Sequence, residues 1–467
     1  MKPFVFKTLN NNSYLYSPVS KRFIPIPKYS YECFKKNAGI NNDAFLQNLQ
    51  HYGYLEEKRF NYDRTISEND IRNALANIPQ IVFEVTTHCN FQCKYCCYGN
   101  CYETFTNRKD GILNFDSAKI LLDYISNCCS SIHNDSYNTP LAISFYGGEP
   151  LLNIHLIEQI VEYSKSLNFH NRILKFSLTT NASFLAEHIK FLHDNDFALL
   201  VSLDGDSYTS QYRVLKDGTP SFDLVMNNLD LVKTRFPEYF KTIRFNSVFT
   251  NLSKTIGLFD FFYSRFGKGT TISPLHVSDG ASESDVLKRM RNKELIDPNL
   301  IMSTYPDSFL ELPIHKKIVQ LLMYMTDSFY YNELSFIHSK DDLAIFPTHT
   351  CIPFTKRLFL TVDNKIISCE KVNRDNPWGF VTDISVQLDY AYVANQFNNL
   401  ISSYKNKCKN CAMEMLCNHC ALTSVNSKDC PDFKSAELIE DIFGEIFTYI
   451  EDNPDILKLI YSNVILK

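Results

Sequence analysis

The sequence lacks the segments that place a protein in a membrane or on a nucleic acid. No uncharged apolar run reaches about 18 residues, and the N-terminus, Met1-Lys-Pro-Phe-Val-Phe-Lys7, lacks the apolar core of a signal peptide. The formal net charge is -5, so the chain offers no basic excess for nucleic acid and no polybasic patch for lipid. No internal repeat or low-complexity tract stands out. We therefore expect a cytoplasmic protein that binds neither nucleic acid nor membrane.

Cysteine is plentiful, but its pattern does not suggest disulfides. The count is 15, an odd number, and the cysteines of a cytoplasmic protein stay reduced. They gather in two regions, Cys89 to Cys101 and Cys351 to Cys430. The 12 histidines, by contrast, show no spacing typical of a metal pair. Clustered cysteines in a reducing compartment indicate metal binding.

The alternation of apolar patterns predicts an α/β fold. From Pro79 onward, strand-like runs alternate with segments of helical periodicity. The predicted strands are 81–87, 141–147, 174–180, 198–204, 243–249 and 270–275, and the predicted helices are 117–132, 151–167, 185–195, 222–235 and 252–266. Repeated β–α units imply a parallel sheet, and six of them predict a partial (β/α)6 barrel of TIM type. Active residues are then expected at the carboxyl ends of the strands.

We predict five segments along the chain. Residues 1–66 form a winged-helix-like α+β module, because 13–17 and 22–26 have the alternation of a hairpin; the alternative is an extension packed on the main domain. The remaining predicted segments are a barrel at 67–277, a bridge or lid at 278–346, a cysteine-rich domain at 347–435 and a terminal helical segment at 436–467. The motif Ser67-Glu-Asn-Asp70 predicts a capping box at the entry to the second segment.

Three cysteines directly follow the first predicted strand of the barrel. Cys89, Cys93 and Cys96 have C-x3-C-x2-C spacing, which can hold three irons of a [4Fe–4S] cube and leave the fourth iron without a protein ligand. The zinc alternative is weak because a structural zinc site takes four ligands, and His88 adjoins the first cysteine. The neighbouring Cys97 and Cys101 remain unassigned.

This set, with the aromatic Tyr95 before the third cysteine, resembles the signature of the radical S-adenosylmethionine (radical SAM) enzymes. The resemblance implies that the open iron binds S-adenosylmethionine and that the reduced cluster cleaves it to a 5′-deoxyadenosyl radical. The implied contacts of S-adenosylmethionine are Tyr95, Gly147, Gly148, Glu149, Ser177, Asn181, Ser202 and Arg213. Asn181 and Ser202 have an alternative interpretation as ordinary caps at strand ends.

The distal cysteines resemble the SPASM extension of radical SAM enzymes, which carries two auxiliary iron–sulfur clusters. The resemblance assigns Cys408, Cys411, Cys417 and Cys430 to the outer cluster and Cys351, Cys369 and Cys420 to the inner cluster. Seven cysteines cannot fill eight ligand sites, so we predict an open iron in the inner cluster. Recruitment of Cys97 or Cys101 as the eighth ligand, and a zinc ribbon at 408–420, are the alternatives. The expected cofactors are therefore S-adenosylmethionine and three [4Fe–4S] clusters.

Within the radical SAM/SPASM proteins, the chain most resembles the maturases of ribosomally made peptides. The resembling features are the N-terminal module, the segment 221–226 before a helix, and Cys351-x5-Arg357-Leu-Phe-Leu360 leading to Cys369-Glu370. The resemblance implies a precursor peptide whose leader adds to the edge of the 13–26 hairpin, and a reductant such as flavodoxin or ferredoxin. The product would be a thioether, another crosslink or an epimerised residue. The alternatives are a sulfatase-maturase-like enzyme that makes formylglycine and a non-catalytic iron–sulfur or zinc scaffold.

Overall fold

The computed structural model describes most of the chain. The described residues are 1–36, 42–58, 61–99, 108–275, 285–292, 304–305, 312–326, 346–408, 411–412, 416–417, 419–424, 429–430 and 433–464. Cys101 and most of the predicted bridge at 278–346 lie outside these ranges. No helix in the described ranges is long and apolar enough to cross a bilayer.

The described secondary structure follows the predicted alternation of strands and helices. The strands are β1 Phe4–Lys7, β2 Ser13–Ser17, β3 Arg22–Pro25, β4 Gln80–Thr86, β5 Pro140–Gly147, β6 Ile173–Thr180, β7 Ala198–Ser202, β8 Arg244–Phe249, β9 Thr271–Pro274, β10 Leu358–Leu360, β11 Lys365–Ile367, β12 Gly379–Val381 and β13 Val386–Gln387. The helices are α1 Lys28–Lys35, α2 Ala44–His51, α3 Glu68–Ala76, α4 Phe115–Cys129, α5 Ile154–Ser166, α6 Leu185–Asp194, α7 Phe222–Arg235, α8 Pro237–Thr242, α9 Thr255–Phe266, α10 Asp285–Met290, α11 Pro313–Met325, α12 Tyr390–Cys408, α13 Ala436–Asp452 and α14 Ile456–Val464.

One large sheet organises the centre of the molecule. Strands β4 to β9 are parallel and neighbour one another in chain order, as the repeated β–α units predict. On the other side of β4, β10 pairs in parallel and β11 to β13 continue in antiparallel order. The cysteine-rich region therefore extends the same sheet. The mixed α/β fold is confirmed, whereas closure into a partial barrel and the domain boundaries remain predictions.

The two faces of this sheet differ in polarity. On the outer face, side chains such as Phe83, Phe145 and Leu199 are buried against the helices that follow the strands. On the inner face, the register aligns Ser144 with Ser177, and alternation brings Ser202 to the same side. The partly exposed members of this face include Tyr146, Ser177, Thr179, Leu200, Ser202, Asn246, Val248 and Ser273. The inner face can therefore contact a polar ligand.

A second, three-stranded sheet lies near the N-terminus, and it is covered on both faces. Val5 and Leu15 pack with α1 and α2, while the opposite face packs against α13 through close aromatic contacts. Phe6 and Phe23, for example, have ring centroids 5.6 Å from that of Phe443. The N-terminal sheet and α13 thus share one hydrophobic cluster.

Several local predictions are confirmed. Ser67 and Asp70 form the predicted capping box, in which the Ser67 hydroxyl accepts the Asp70 N–H and the Asp70 carboxylate accepts the Ser67 N–H. The 13–26 hairpin is antiparallel, as predicted. Within the predicted bridge at 278–346, the structure describes the apolar helix α11 at Pro313–Met325.

Candidate active site

The three cysteines of the first set lie on a loop at the carboxyl end of β4. This loop is fastened to the segment after β7 by backbone hydrogen bonds from Gln92 N to Val214 O (2.8 Å) and from Lys94 N to Tyr212 O (2.9 Å). Lys216 N also donates to Asn90 O at 3.2 Å. Strand-like pairing with a distant loop therefore fixes a segment that has no regular structure of its own.

Gly147 and Gly148 are required by the close approach of this loop. Gly147 has φ +147°, and a Cβ at Gly148 would lie 2.1 Å from the carbonyl oxygen of His88. Gly148 N donates to Thr86 O at 2.9 Å. The glycine pair thus supports the backbone that leads into Cys89. This packing role is independent of the predicted contact with a ligand.

Glu149 joins the carboxyl ends of β5 and β6. One carboxylate oxygen accepts hydrogen bonds from the Thr180 hydroxyl (2.7 Å) and from Leu151 N (3.1 Å), and the other accepts Asn181 N (2.7 Å). The side chain is fully buried, and burial raises the pKa of Glu149 to about 7. Its carboxylate positions the strand ends beneath the cysteine loop.

Asn181 connects β6 to the first cysteine. Its Nδ2 lies 3.8 Å from the Sγ of Cys89 and donates to the Oδ1 of Asn90 at 2.9 Å. Its Oδ1 accepts the backbone N–H of Ser183 at 2.9 Å. Asn181 therefore acts as a strand-end cap, the alternative interpretation of the sequence, and also reaches a cysteine of the predicted cluster.

Arg213 and Tyr95 meet at Asp204, which no sequence motif indicated as a site residue. The Asp204 carboxylate, fully buried, lies 3.2 Å from Arg213 Nε and accepts the hydroxyl of Tyr95. Arg213 Nη1 is also 4.0 Å from the Sγ of Cys93. The position of Asp204 at the end of the fourth predicted strand, 198–204, was the available signal. Arg213 is thus paired inside the protein, and its contact with S-adenosylmethionine remains a prediction.

The environment of this loop affects its three predicted ligand thiols differently. Burial raises the pKa of Cys89 and brings that of Cys93 to about 12, while the hydrogen bond from the Cys97 thiol lowers the pKa of Cys96 to about 6. Arg108 and Arg213 favour the thiolate of Cys96 further. Within the described ranges, no three His, Cys, Asp or Glu side chains have the arrangement that holds a single metal ion. A [4Fe–4S] cube does not require that arrangement, because each of its cysteine thiolates binds a separate iron.

Two predicted contacts of S-adenosylmethionine lie elsewhere on the inner face. Ser177 is in the middle of β6, where its hydroxyl is 2.6 Å from that of Ser144. Ser202 ends β7 and is partly exposed, in register with Asn246. The structure therefore places Asn181 and Arg213 against the cysteine set, whereas Ser177 lies deeper in the sheet.

Several of the distal cysteines lie close enough to affect one another's pKa or that of a shared neighbour. Electrostatic repulsion from Cys420 contributes to the raised pKa of Cys369, for which burial is the main cause, and repulsion from Cys351 contributes to that of Cys420. These three are the predicted inner set. Of the predicted outer set, Cys408 is buried with its thiol donating to Pro347 O at 3.2 Å. Burial is the main cause of the raised pKa of Tyr404, and Cys408, Cys430 and also Cys420 of the predicted inner set raise it further. Their assignment to two clusters remains a prediction.

Comparisons with known proteins match this part of the chain. A family profile described as a 4Fe-4S single cluster domain matches residues 81–218. The uncharacterized protein MJ0907 of Methanocaldococcus jannaschii is 34% identical over 145 residues, which are 31% of this chain and 45% of that protein. The radical SAM cyclopropyl synthase TigE of Paramaledivibacter caminithermalis is 26% identical over 224 residues, 46% of this chain and 43% of the synthase. The chain thus spans less than half the length of these curated relatives.

Solved structures extend the match to most of the fold. The structure of native anSMEcpe with bound AdoMet has a TM-score of 0.57 and 16% identity, over 82% of this chain and 99% of that chain. A structure of the same protein with AdoMet and the Kp18Cys peptide has a TM-score of 0.55 at the same coverage. At this identity the match shows a shared fold. The predicted resemblance to radical SAM enzymes is confirmed, because TigE is one by name. The activity of this chain remains a prediction.

Proposed function

We propose that this chain is a radical SAM/SPASM maturase of a ribosomally made peptide. The single observation that carries the proposal is the loop of Cys89, Cys93 and Cys96, which is fixed at the carboxyl edge of a parallel sheet beside a polar inner face. A [4Fe–4S] cluster with S-adenosylmethionine would supply there a 5′-deoxyadenosyl radical that abstracts hydrogen from the substrate. The residues of the chain hold the cofactors in place and provide the surface on which the substrate lies.

The inner face supports a peptide as substrate. Its partly exposed residues include hydroxyl and amide groups that can exchange hydrogen bonds with a peptide backbone, such as Thr179, Ser202 and Asn246. Ser273 already donates to the Oδ1 of Asn246 at 2.7 Å, which leaves the amide group of Asn246 as a donor of fixed orientation. The predicted curvature into a partial barrel would turn this face toward the first cysteine set.

The N-terminal sheet supports capture of a leader segment along one edge. β3 is the last strand in the order of the three-stranded sheet. Because Ile26 N donates to Ser13 O at 2.9 Å, alternation turns the backbone groups of Phe23 and Pro25 away from β2. Pro25 has no N–H. An added strand could therefore exchange two hydrogen bonds with Phe23 and donate one to the Pro25 carbonyl, which limits its register.

The leader proposal is tested by hydrogen exchange on the full chain. The partner is a synthetic peptide encoded by a short reading frame that carries cysteines or repeats and lies beside the gene. Binding should slow exchange of the Phe23 amide, which faces outward, and leave the Lys7 amide on the opposite edge strand unchanged. Equal exchange at Phe23 with and without saturating peptide would remove this edge as the binding site.

The distal cysteines support an inner cluster with an iron that the protein does not ligate. Seven distal cysteines are available as ligands. The thiol of Cys97 forms a hydrogen bond with Cys96 of the first set. Such an iron could bind a substrate thiolate, which favours thioether formation. Iron and sulfide counts with spectroscopy on substrate-free protein test this: three clusters with one non-cysteine site are expected, and full cysteine ligation of the inner cluster would contradict it.

The reaction itself is tested by mass spectrometry of that peptide after anaerobic turnover with reduced flavodoxin or ferredoxin. Loss of two hydrogens from the peptide is the result expected for a thioether or another crosslink. TigE, a cyclopropyl synthase by name, is consistent with bond formation between carbons as one such outcome. Deuterium uptake from solvent without mass loss would indicate epimerisation, and an aldehyde would instead support the formylglycine alternative.

A further inference from the structure

A buried carboxylate on the strand that leads to the cysteine loop is shared by two arginines. Both carboxylate oxygens of Glu84 accept hydrogen bonds from Arg374, at 2.7 Å from Nη1 and 2.9 Å from Nη2. Arg108 adds Nε at 2.9 Å to the same carboxylate. The backbone N–H of Val362 donates to it at 3.2 Å. Glu84 is fully buried, Arg374 is 3% exposed, and the Arg108 side chain is 11% exposed.

This cluster, which we call the Glu84 cluster, lies beside the first cysteine set. The Arg108 guanidinium is 3.9 Å from the ring centroid of Tyr98, and the Arg374 guanidinium is 5.8 Å from it. Tyr98 follows Cys96 by two positions, and Arg374 follows Cys369 by five. The two arginines are therefore placed between the loop of the first set and the segment that carries the inner distal set.

The charges of the Glu84 cluster do not balance. Among the residues that the structure describes, two guanidinium groups face one carboxylate, which leaves one positive charge in excess. The nearby acidic groups in the described part of the chain have basic partners of their own: Asp363, which also attracts Arg374, pairs with Lys365 at 3.2 Å, and Glu370 pairs with Arg357 at 3.0 Å. The Nε of Arg374 is buried and lacks a hydrogen-bond partner among the described residues. On the other side of the loop, Arg213 is neutralised by Asp204.

We propose that the excess positive charge of the Glu84 cluster raises the reduction potential of the cluster held by Cys89, Cys93 and Cys96. Reduction adds one negative charge to that site, and a fixed positive charge in a medium of low dielectric constant stabilises the reduced form. Glu84, Arg108 and Arg374 thus act on the cluster through their charges, and they are not catalytic residues. This inference rests on the proposed function, because it requires the first [4Fe–4S] cluster.

A series of variants with known net charge tests the inference. The midpoint potential of the first cluster is measured by an EPR-monitored redox titration of anaerobically reconstituted full-length protein. All variants keep the distal cysteines. Glu84→Gln raises the net charge of the Glu84 cluster by one and should raise the potential. Arg374→Gln and Arg108→Gln each lower the net charge by one and should lower the potential.

Two further variants separate charge from structural damage. The double variant Glu84→Gln/Arg374→Gln restores the wild-type net charge and should return the potential to near that of the wild type. Arg374→Lys keeps the charge but loses the bidentate geometry, so it should leave the potential nearly unchanged while lowering stability. Structural damage would instead shift the potentials of the single and double variants in the same direction, and the damaged variants would also lose iron.

The outcomes distinguish this inference from the proposed function. If the wild type shows the EPR signal of a reduced [4Fe–4S] cluster but the single-charge variants share its potential, the Glu84 cluster has no electrostatic role. The proposed function would survive that result. If the reconstituted wild type yields no such signal, the proposed function fails and this inference falls with it.

Discussion

The carboxylate of Glu149 accepts the backbone N–H of Asn181 at 2.7 Å, which ties the end of β5 to the end of β6. The Asn181 side chain in turn lies 3.8 Å from the Sγ of Cys89. A buried acid and an amide therefore transmit the geometry of two strands to the first cysteine. This relationship makes the strand ends, rather than the loop alone, responsible for the position of the cysteine set.

Glu149 should make the stability of the protein depend on pH. Its pKa is raised from 4.5 to about 7 in the folded chain, so the folded state binds more protons than the unfolded state between these values. The resulting stability is present below about pH 4.5 and is lost as the pH rises through about 7. Relative to Glu149→Gln, whose side chain does not titrate, the free energy of unfolding of the cluster-free protein should fall by up to about 3 kcal/mol.

Urea unfolding of both proteins at several pH values between 5 and 8 provides the measurement. The glutamine variant retains an oxygen that can accept hydrogen bonds, so its profile isolates the contribution of the carboxyl proton. Parallel profiles for the two proteins across this range would contradict the raised pKa.

Gly148→Ala should abolish assembly of the first cluster. The added Cβ would lie 2.1 Å from the carbonyl oxygen of His88 and 2.6 Å from that of Thr87, so the loop before Cys89 must move. Gly257→Ala is the matched control, because its Cβ meets only the Lys254 side chain at 3.8 Å. This control lies in a helix and should gain about 0.5 kcal/mol of stability. Iron content after reconstitution distinguishes the two, and equal iron in both variants would refute the packing argument.

Asp204 and Arg213 should be strongly coupled in stability. Asp204→Asn leaves a buried guanidinium without its counter-ion, and Arg213→Met leaves a buried carboxylate, so each should cost about 3 kcal/mol. Combining the two substitutions removes both charges and should cost about 2 kcal/mol less than the sum. A double-mutant cycle on cluster-free protein measures this coupling. Additive costs would show that the pair contributes little.

Phe443→Ala should loosen the N-terminal sheet from α13. The Phe443 ring contacts Phe4 at 5.3 Å and Phe6 at 5.6 Å between centroids, and its removal should cost about 3 to 5 kcal/mol locally. Leu438→Ala on the same helix is the control, because Leu438 is 43% exposed. Hydrogen exchange in β1 and β2 should accelerate in the first variant alone. Unchanged protection would mean that the sheet is held by α1 and α2 only.

The sequence could predict the features that repeat or that are local. The strand predicted at 81–87 is β4 at Gln80–Thr86, and the helix predicted at 222–235 is α7 with the same bounds. Both follow from runs of apolar periodicity several residues long. The capping box of Ser67 and Asp70 depends only on neighbouring residues, and it was predictable for the same reason.

The features that the sequence could not predict join distant segments. Glu84 stands inside an apolar strand, and its partner Arg374 is 290 residues away, so no local pattern announces the pair. Asp204 acts through Arg213 and Tyr95, which only the folded loop brings together. Ser177 was predicted to contact S-adenosylmethionine, but its register with Ser144 places it deeper in the sheet. Residue type indicates the chemistry, whereas register and long-range pairing decide the position.

Reductive cleavage of S-adenosylmethionine is the most direct test of the account. The full-length protein is reconstituted anaerobically and reduced with dithionite, and 5′-deoxyadenosine is quantified alongside Cys93→Ala and the control Cys128→Ala, whose cysteine lies on α4. We predict release of 5′-deoxyadenosine by the wild type and by Cys128→Ala, and none by Cys93→Ala. A reconstituted wild type that holds iron and sulfide but releases no 5′-deoxyadenosine, or equal release by Cys93→Ala, would contradict the central claim.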